Sequence, residues 1–402
     1  MSSRGVGGFL RGRHGARMVQ ARREKEAAMR AGFLVLGVAA VVIGSAGCTV
    51  VLPPRITGID PQEAAVSTVV GIIGRGFGEV EGTVTFDGLP AEVLLWTPTR
   101  ITVRVPVIAT PGGKDEAVPV VVSTVRSTVG PFSFTVVRGI LIASDREGDF
   151  DVYTMNPDGS RPENLTGHPA MDGRPAWSPD GTEIAFFSDR TNGGDIYVMD
   201  ADGTHLRQLT DDPAWDGAPA WSPDGARIAF HTARGGWFAV YLMDADGSDE
   251  VLLATSIGGA TGPSWSPTGD EIVYHAVGQG ANDLLVVDVN LRAARDITPD
   301  TFTSIEEAAV WSPDGSKIAF QTNRDGNYEV YVMDADGTAP VDLTRSPADD
   351  GFPTWSPDGT RIAFQSDREG DYEVYSMDAN GGNVVQLTDR HSAEDGQPAW
   401  GD

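Results

Sequence analysis

The chain has one cysteine in 402 residues, Cys48, so neither a disulfide framework nor a zinc–thiolate cluster can be built from it. Positive charge is also scarce. Lys and Arg number 30 against 57 Asp plus Glu, a net charge of −27, which leaves no basic surface for the phosphates of nucleic acid. The longest apolar run, roughly 15 residues following Arg30, falls short of the ~20 that a comfortable membrane span requires. No G-x-S-x-G elbow or other nucleophile signature is present. What the chain does have is turn chemistry. Its 49 Gly and 26 Pro suit many short strands and disfavour a helical bundle, while 40% hydrophobic residues suffice for a substantial core. At this length two or more domains are expected.

The charge is unevenly placed. Residues 1–30 hold eight basic residues and two acids, and the remainder carries 22 basic against 55 acidic residues, a charge of −33. After Arg30 comes the uncharged AGFLVLGVAAVVIGSAGC, which ends on Cys48. A basic region, a short apolar segment and small residues before a cut site are the parts of a secretory signal. Ser45-Ala46-Gly47-Cys48 resembles the lipobox of bacterial lipoproteins, with Ser45 where leucine is usual. The resemblance implies cleavage before Cys48, acylation of that residue, and an exported protein lipid-anchored to the cell envelope, at the outer membrane, in the periplasm or on the surface. A start at Met29 would give a compact signal of 19 residues. Residues 1–47 are thus expected to be signal and basic leader, and 48–53 a lipid-anchored linker.

Residues 54–137 alternate apolar and polar in short Val-, Ile- and Thr-rich runs broken by Gly and Pro, as in Thr83–Phe86, Ile101–Val105 and Val118–Val122. That period-two pattern predicts an antiparallel β-sandwich. The ordered motifs Ile56-Thr57-Gly58-Ile59-Asp60-Pro61, Ile73-Gly74-Arg75-Gly76-Phe77-Gly78 and Val84-Thr85-Phe86-Asp87-Gly88 resemble the IPT/TIG immunoglobulin-like domain. The family implies a spacer or adhesive module without chemistry of its own.

From Gly139 the chain repeats itself. Trp177, Trp221, Trp265, Trp311, Trp355 and Trp400 are spaced 44, 44, 46, 44 and 45 residues apart. Each sits in a unit of the form D-G-x-P-A-W-S-P-D-G-x-x-I-A-F-x-S-D-R, then E-V-Y-x-M-D-A-D-G and L-T. The I-A-F and V-Y-x-M segments read as strands and the Asp-Gly pairs as hairpin turns, so each unit is one propeller blade of four strands. The first copy, at Ile140, lacks a preceding P-A-W strand, and the last P-A-W, Pro398-Ala399-Trp400, has no strand after it. These fragments are expected to complete one blade and close a six-bladed ring over 139–402, giving an all-β chain. The unit resembles the TolB-like propeller repeat. Members of that type carry an α/β amino-terminal domain and no lipid anchor, so their role in the Tol–Pal envelope system is not carried over.

Acids stand five residues before five of the six tryptophans: Asp172, Asp216, Glu306, Asp350 and Asp395. Eighteen residues after the first four stand Arg190, Arg234, Arg324 and Arg368, and Asp395 would meet Arg146 around the closed ring. The one copy with Ala260 in place of the acid also has Gly278 in place of the arginine. Loss of both together favours structural acid–arginine pairs over a ring of carboxylates holding a metal. The D-A-D-G turns at Asp200, Asp244 and Asp334 lack the further oxygen ligands of a calcium loop; no cofactor is expected, with calcium the one weighed alternative. His231 and His275 occupy equivalent places in adjacent copies, where Gln321 and Gln365 stand later. A polar position facing a channel or a blade interface accounts for all four better than a two-histidine metal site.

The copy from Trp265 to Ala309 loses the acid, the arginine, the tyrosine strand and the D-A-D-G turn. Drift explains this, and so does docking of a partner. Trp215, Trp237 and Phe238 beside it, with His231 and His275, are the candidate ligand contacts. The expectation is a non-catalytic envelope lipoprotein whose propeller binds a protein or peptide. The competing reading is a carbohydrate-binding or polysaccharide-degrading propeller enzyme.

Overall fold

The computed structural model describes residues 53–400 apart from 110–114, 126, 192, 278–281, 300–303 and 390–392. The expected signal, Cys48, the anchored linker up to residue 52 and Gly278 lie outside the described residues. All regular structure in the described chain is strand.

The first domain is a sandwich of two sheets. One runs in the order Arg55–Asp60, Val69–Arg75, Arg100–Arg104, Glu92–Trp96; the other runs Glu63–Ala65, Thr128–Val137, Glu116–Ser123, Thr83–Phe86, Leu89–Pro90. The alternating pattern turns Ile72, Ile101, Val103, Val84, Val120 and Val122 inward. Phe86 and Phe134 meet edge to face, 5.2 Å between centroids, at the centre of this core. Trp96 lies against Phe77 and donates its indole N–H to the Gly78 carbonyl, which makes it a packing residue of the sheet edge.

Six four-stranded antiparallel sheets follow. Five consist of consecutive strands, numbered here blades 2 to 6, with inner strands Asp172–Trp177, Asp216–Trp221, Ala260–Trp265, Glu306–Trp311 and Asp350–Trp355. Blade 1 is assembled from both ends of the repeat region: Ile140–Ser144 pairs with Asp151–Met155 on one side and with Asp395–Trp400 on the other. The chain's last strand is therefore the inner strand of its first blade, and Ile140, Leu141 and Ile142 beneath it are fully buried. Each blade tryptophan is buried at the seam with its neighbour; Trp177 donates to the Gly139 carbonyl and Trp265 to that of Ala220.

The Ser-Pro-Asp-Gly turns show why that sequence recurs. Ser178 donates to Asp180 and accepts from the Glu183 N–H, while Gly181 takes φ 72°. In the D-A-D-G turns Asp202, Asp246 and Asp336 each accept from the backbone N–H and hydroxyl two residues on. In each, one carboxylate oxygen, Oδ1, takes both bonds and pins the turn.

The sandwich is fixed to the turn side of the ring. Asn156 accepts from the Ala65 N–H, the Ser67 hydroxyl donates to the Ala201 carbonyl, and Arg104 is ion-paired with Glu163. Arg138, at the junction, donates to the carbonyls of Ser178 and Pro179. One hydrophobic cluster runs from Ile72 and Phe134 of the sandwich to Leu141, Val152 and Trp177 of the propeller.

Candidate functional site

The acid of each inner strand meets the arginine eighteen residues later. Nitrogen–oxygen distances are 2.8 Å for Arg190–Asp172, 2.7 Å for Arg234–Asp216, 3.0 Å for Arg324–Glu306 and 2.9 Å for Arg368–Asp350. Arg146 reaches Asp395 at 2.8 Å across the ring closure. Each of the five carboxylate side chains is fully buried. Each guanidinium also bonds a hydroxyl of the second strand (Ser144, Ser188, Thr232, Thr322 or Ser366) and lies over the tyrosine of the third. Burial pushes the Asp350 carboxyl up, and the Ser366 hydroxyl and Arg368 draw it back. Among the described residues no group of three or more His, Cys, Asp or Glu side chains could hold a metal.

His231 and its counterparts join blades. His231 Nδ1 accepts from the Gly262 N–H of the next blade, as Gln321 Oε1 does from Phe352 and Gln365 Oε1 from Gln397. The glycine of D-G-x-P leaves room for this link: a Cβ at Gly351 would stand 2.3 Å from Gln321 Oε1, and one at Gly396 2.6 Å from Gln365 Oε1. Burial, with Arg174 and His275 nearby, pulls the His231 imidazole down to about 3. His275 is pulled down to about 4, again by burial and then Arg174. It touches Thr261, and Glu307 stands 3.8 Å from its Nε2. Thr261 and Glu307 occupy the glycine position in the two blades that lack it.

The aromatic candidates divide. Trp215 lies edge-on to Phe187 and Phe238 at 5.3 and 5.6 Å, with His231 completing the cluster. Trp237 stands apart, 65% exposed, on the face of the ring opposite the sandwich.

The sequence pattern did not single out the x of D-G-x-P. The inner strands are bulged there, between Gly173 and Ala176 and at the equivalent point of every blade. Arg174, Ala218, Ala308, Phe352 and Gln397 take φ between 48° and 51°, and Gly262 takes 60°. A left-handed non-glycine residue repeated in five blades redirects the side chain out of the ladder. All six line one cavity of about 390 Å³ along the ring axis, together with the prolines and tryptophans that follow them. Within a motif that barely changes, this one position reads Arg, Ala, Gly, Ala, Phe, Gln; that contrast was the available signal.

The TolB beta propeller domain model matches residues 190–299 and 237–401, and the IPT/TIG domain model matches 54–136. The chain belongs to the TolB β-propeller family. Solved TolB structures share the fold: the putative TolB of Agrobacterium tumefaciens at 24% identity and TM-score 0.54, covering 65% of this chain and 91% of that one. TolB of Acinetobacter baumannii gives 20% identity and TM-score 0.58 over 73% of this chain and 81% of its own. Hydrazine synthase of Kuenenia stuttgartiensis gives 17% and 0.57, covering 65% and 46%. A 74-residue stretch is 31% identical to cyclomaltodextrin glucanotransferase of a Bacillus strain, spanning 18% of this chain and only 10% of that enzyme. In this TolB-family chain an IPT/TIG domain stands ahead of the ring.

Proposed function

We propose that this protein is a cell-envelope lipoprotein, anchored through Cys48, whose IPT/TIG domain holds out a non-catalytic propeller that binds a protein or peptide. The observation that carries the reading is the axial cavity, whose wall varies most in size and polarity at six bulged positions, between prolines and tryptophans that recur in nearly every blade. A scaffold repeated for stability, with one variable ring, is the arrangement expected of a binding site grafted on a fold. Membership of the TolB family supports an envelope location. The chemistry of His231 and His275 favours binding over turnover. Both are held neutral far below neutral pH, His231 accepting from a backbone N–H of the next blade.

The test is photo-crosslinking in cells. A photoreactive phenylalanine at Phe352, on the cavity wall, is expected to give a discrete protein adduct, and one at the exposed Val341, on the outermost strand of blade 5, none. Absence of an adduct at Phe352, or release of soluble sugar from purified envelope glycans by the isolated protein, overturns the reading.

A further inference from the structure

The ring of bulged residues is lopsided. Blades 3, 4 and 5 contribute Ala218, Gly262 and Ala308, whereas blades 6, 1 and 2 contribute Phe352, Gln397 and Arg174. One half of the wall is thus cleared down to methyl groups, and the other half carries an aromatic ring, an amide and a guanidinium. Arg174 is the one charged member, and it is unlike the five blade arginines. Each of those meets a carboxylate within 3.0 Å. Arg174 meets none among the described residues. Its guanidinium lies 5.2 Å from the Phe352 ring centre, its backbone N–H donates to Gln397 Oε1 at 2.8 Å, and Glu307 acts on it only from beyond ion-pair reach. Burial lowers its proton affinity, and Glu307 restores only part of it. In a chain of charge −27 a half-buried arginine without a carboxylate in reach is not explained by a shortage of acids. A guanidinium left so is costly, and its planar fork of donors suits a carboxylate.

We propose that the axial cavity receives an acidic residue of a partner peptide, its carboxylate forked onto Arg174 and its stem against Phe352. This rests on the peptide-binding reading above and names its chemistry. The volume fits: about 390 Å³ lies within the roughly 300–1,000 Å³ of small-ligand pockets. The wall argues for a peptide over a sugar. The six tryptophans along it are at most 9% exposed, so they offer seams in place of open faces for a sugar ring to stack on. Prolines and alanines supply most of the rest, and would leave a saccharide's hydroxyls unpaired.

The test uses the full chain in detergent and two pairs of acetylated hexapeptide pools. One pair has a fixed central Glu or Gln; the other ends in a free carboxylate or an amide. Retained peptides are quantified by mass spectrometry. At least one carboxylate pool is expected to be retained about tenfold over its amide match, and whichever pair shows the preference identifies side chain or terminus as the source. Arg174→Gln is expected to abolish the preference while melting no lower than wild type, since it breaks no ion pair. Equal retention of carboxylate and amide pools overturns this inference and leaves peptide binding standing. So does a preference that survives in R174Q. An oligouronate retained more tightly than every pool overturns the assignment to peptide. If no pool is retained the inference falls, and the crosslinking experiment still decides the wider reading.

Discussion

Asp350 and Arg368 illustrate what one residue contributes in a repeated blade. The carboxylate is wholly buried and relies on a guanidinium that is itself held by Ser366 and Tyr375. Removing one partner strands the other, which costs on the order of 3–5 kcal/mol for buried pairs. Asp350→Ala and Arg368→Ala are each expected to lower stability markedly in urea unfolding, and the double variant to cost clearly less than their sum; strict additivity would show that the two do not act as a unit. The histidines give a pH signature. Below about pH 6.5 the unfolded imidazoles take up protons that the folded ones refuse until about pH 3 for His231 and about pH 4 for His275. Their contribution to stability is therefore full above pH 6.5 and is lost progressively as pH falls. His231→Gln, which copies the acceptor of Gln321 and Gln365, should keep the link to Gly262 and flatten the fall in Tm between pH 7 and 4.5. An unchanged slope would contradict this account.

At the scale of the strand and blade, most of the architecture was legible in the chain. Tryptophan spacing, Asp-Gly turns and the unfinished first and last copies fix the strand order, because backbone geometry imposes the same period on every unit. The acid–arginine spacing was readable for the same reason: one blade lost both groups together. The bulged ring was not readable. A left-handed residue inside a strand comes from the packing of six inner strands around an axis, and Arg, Ala, Phe or Gln carries no local preference that announces it. Trp215, Trp237 and Phe238 stood out as ligand contacts by their type and their place beside the irregular copy. The structure gathers Trp215 and Phe238 into a cluster with Phe187 and His231, in which Phe238 is half-buried and Trp215 keeps 37% exposure beside the more open Trp237. One element invites direct removal. Deleting 395–402 strips Asp395 from Arg146, uncovers Ile140–Ile142 and exposes a strand edge. The truncated chain should melt on the order of 10 °C lower and aggregate, by differential scanning calorimetry and light scattering. A shift of only a degree or two would show that the ring does not depend on this strand.

For the whole molecule, the junction between sandwich and ring has the character of a core. Apolar residues of both share one cluster, and Asn156 and Ala201 take hydrogen bonds from the sandwich backbone and Ser67. Such continuity couples the two domains energetically, where a flexible tether would leave them independent. A single calorimetric transition is expected for residues 54–402, and Asn156→Ala should lower it as one peak. Two resolved transitions in the parent chain would refute the coupling. Acidity also gains a meaning at this scale. Much of it is committed to turns and blade pairs, while at the axis Arg174 stands without a carboxylate in ion-pair reach among the described residues.

The route by which blade 1 is completed carries a consequence for the order of events in time. The contact between Asp395 and Arg146 joins residues 249 apart in sequence, and the same strand supplies Gln397, which accepts from Arg174 at the axis. Until the ribosome has delivered that segment, five blades can stack but the aperture has no complete circumference. The axial cavity is thus enclosed only after that strand has been made, and slow long-range closure should dominate the folding kinetics.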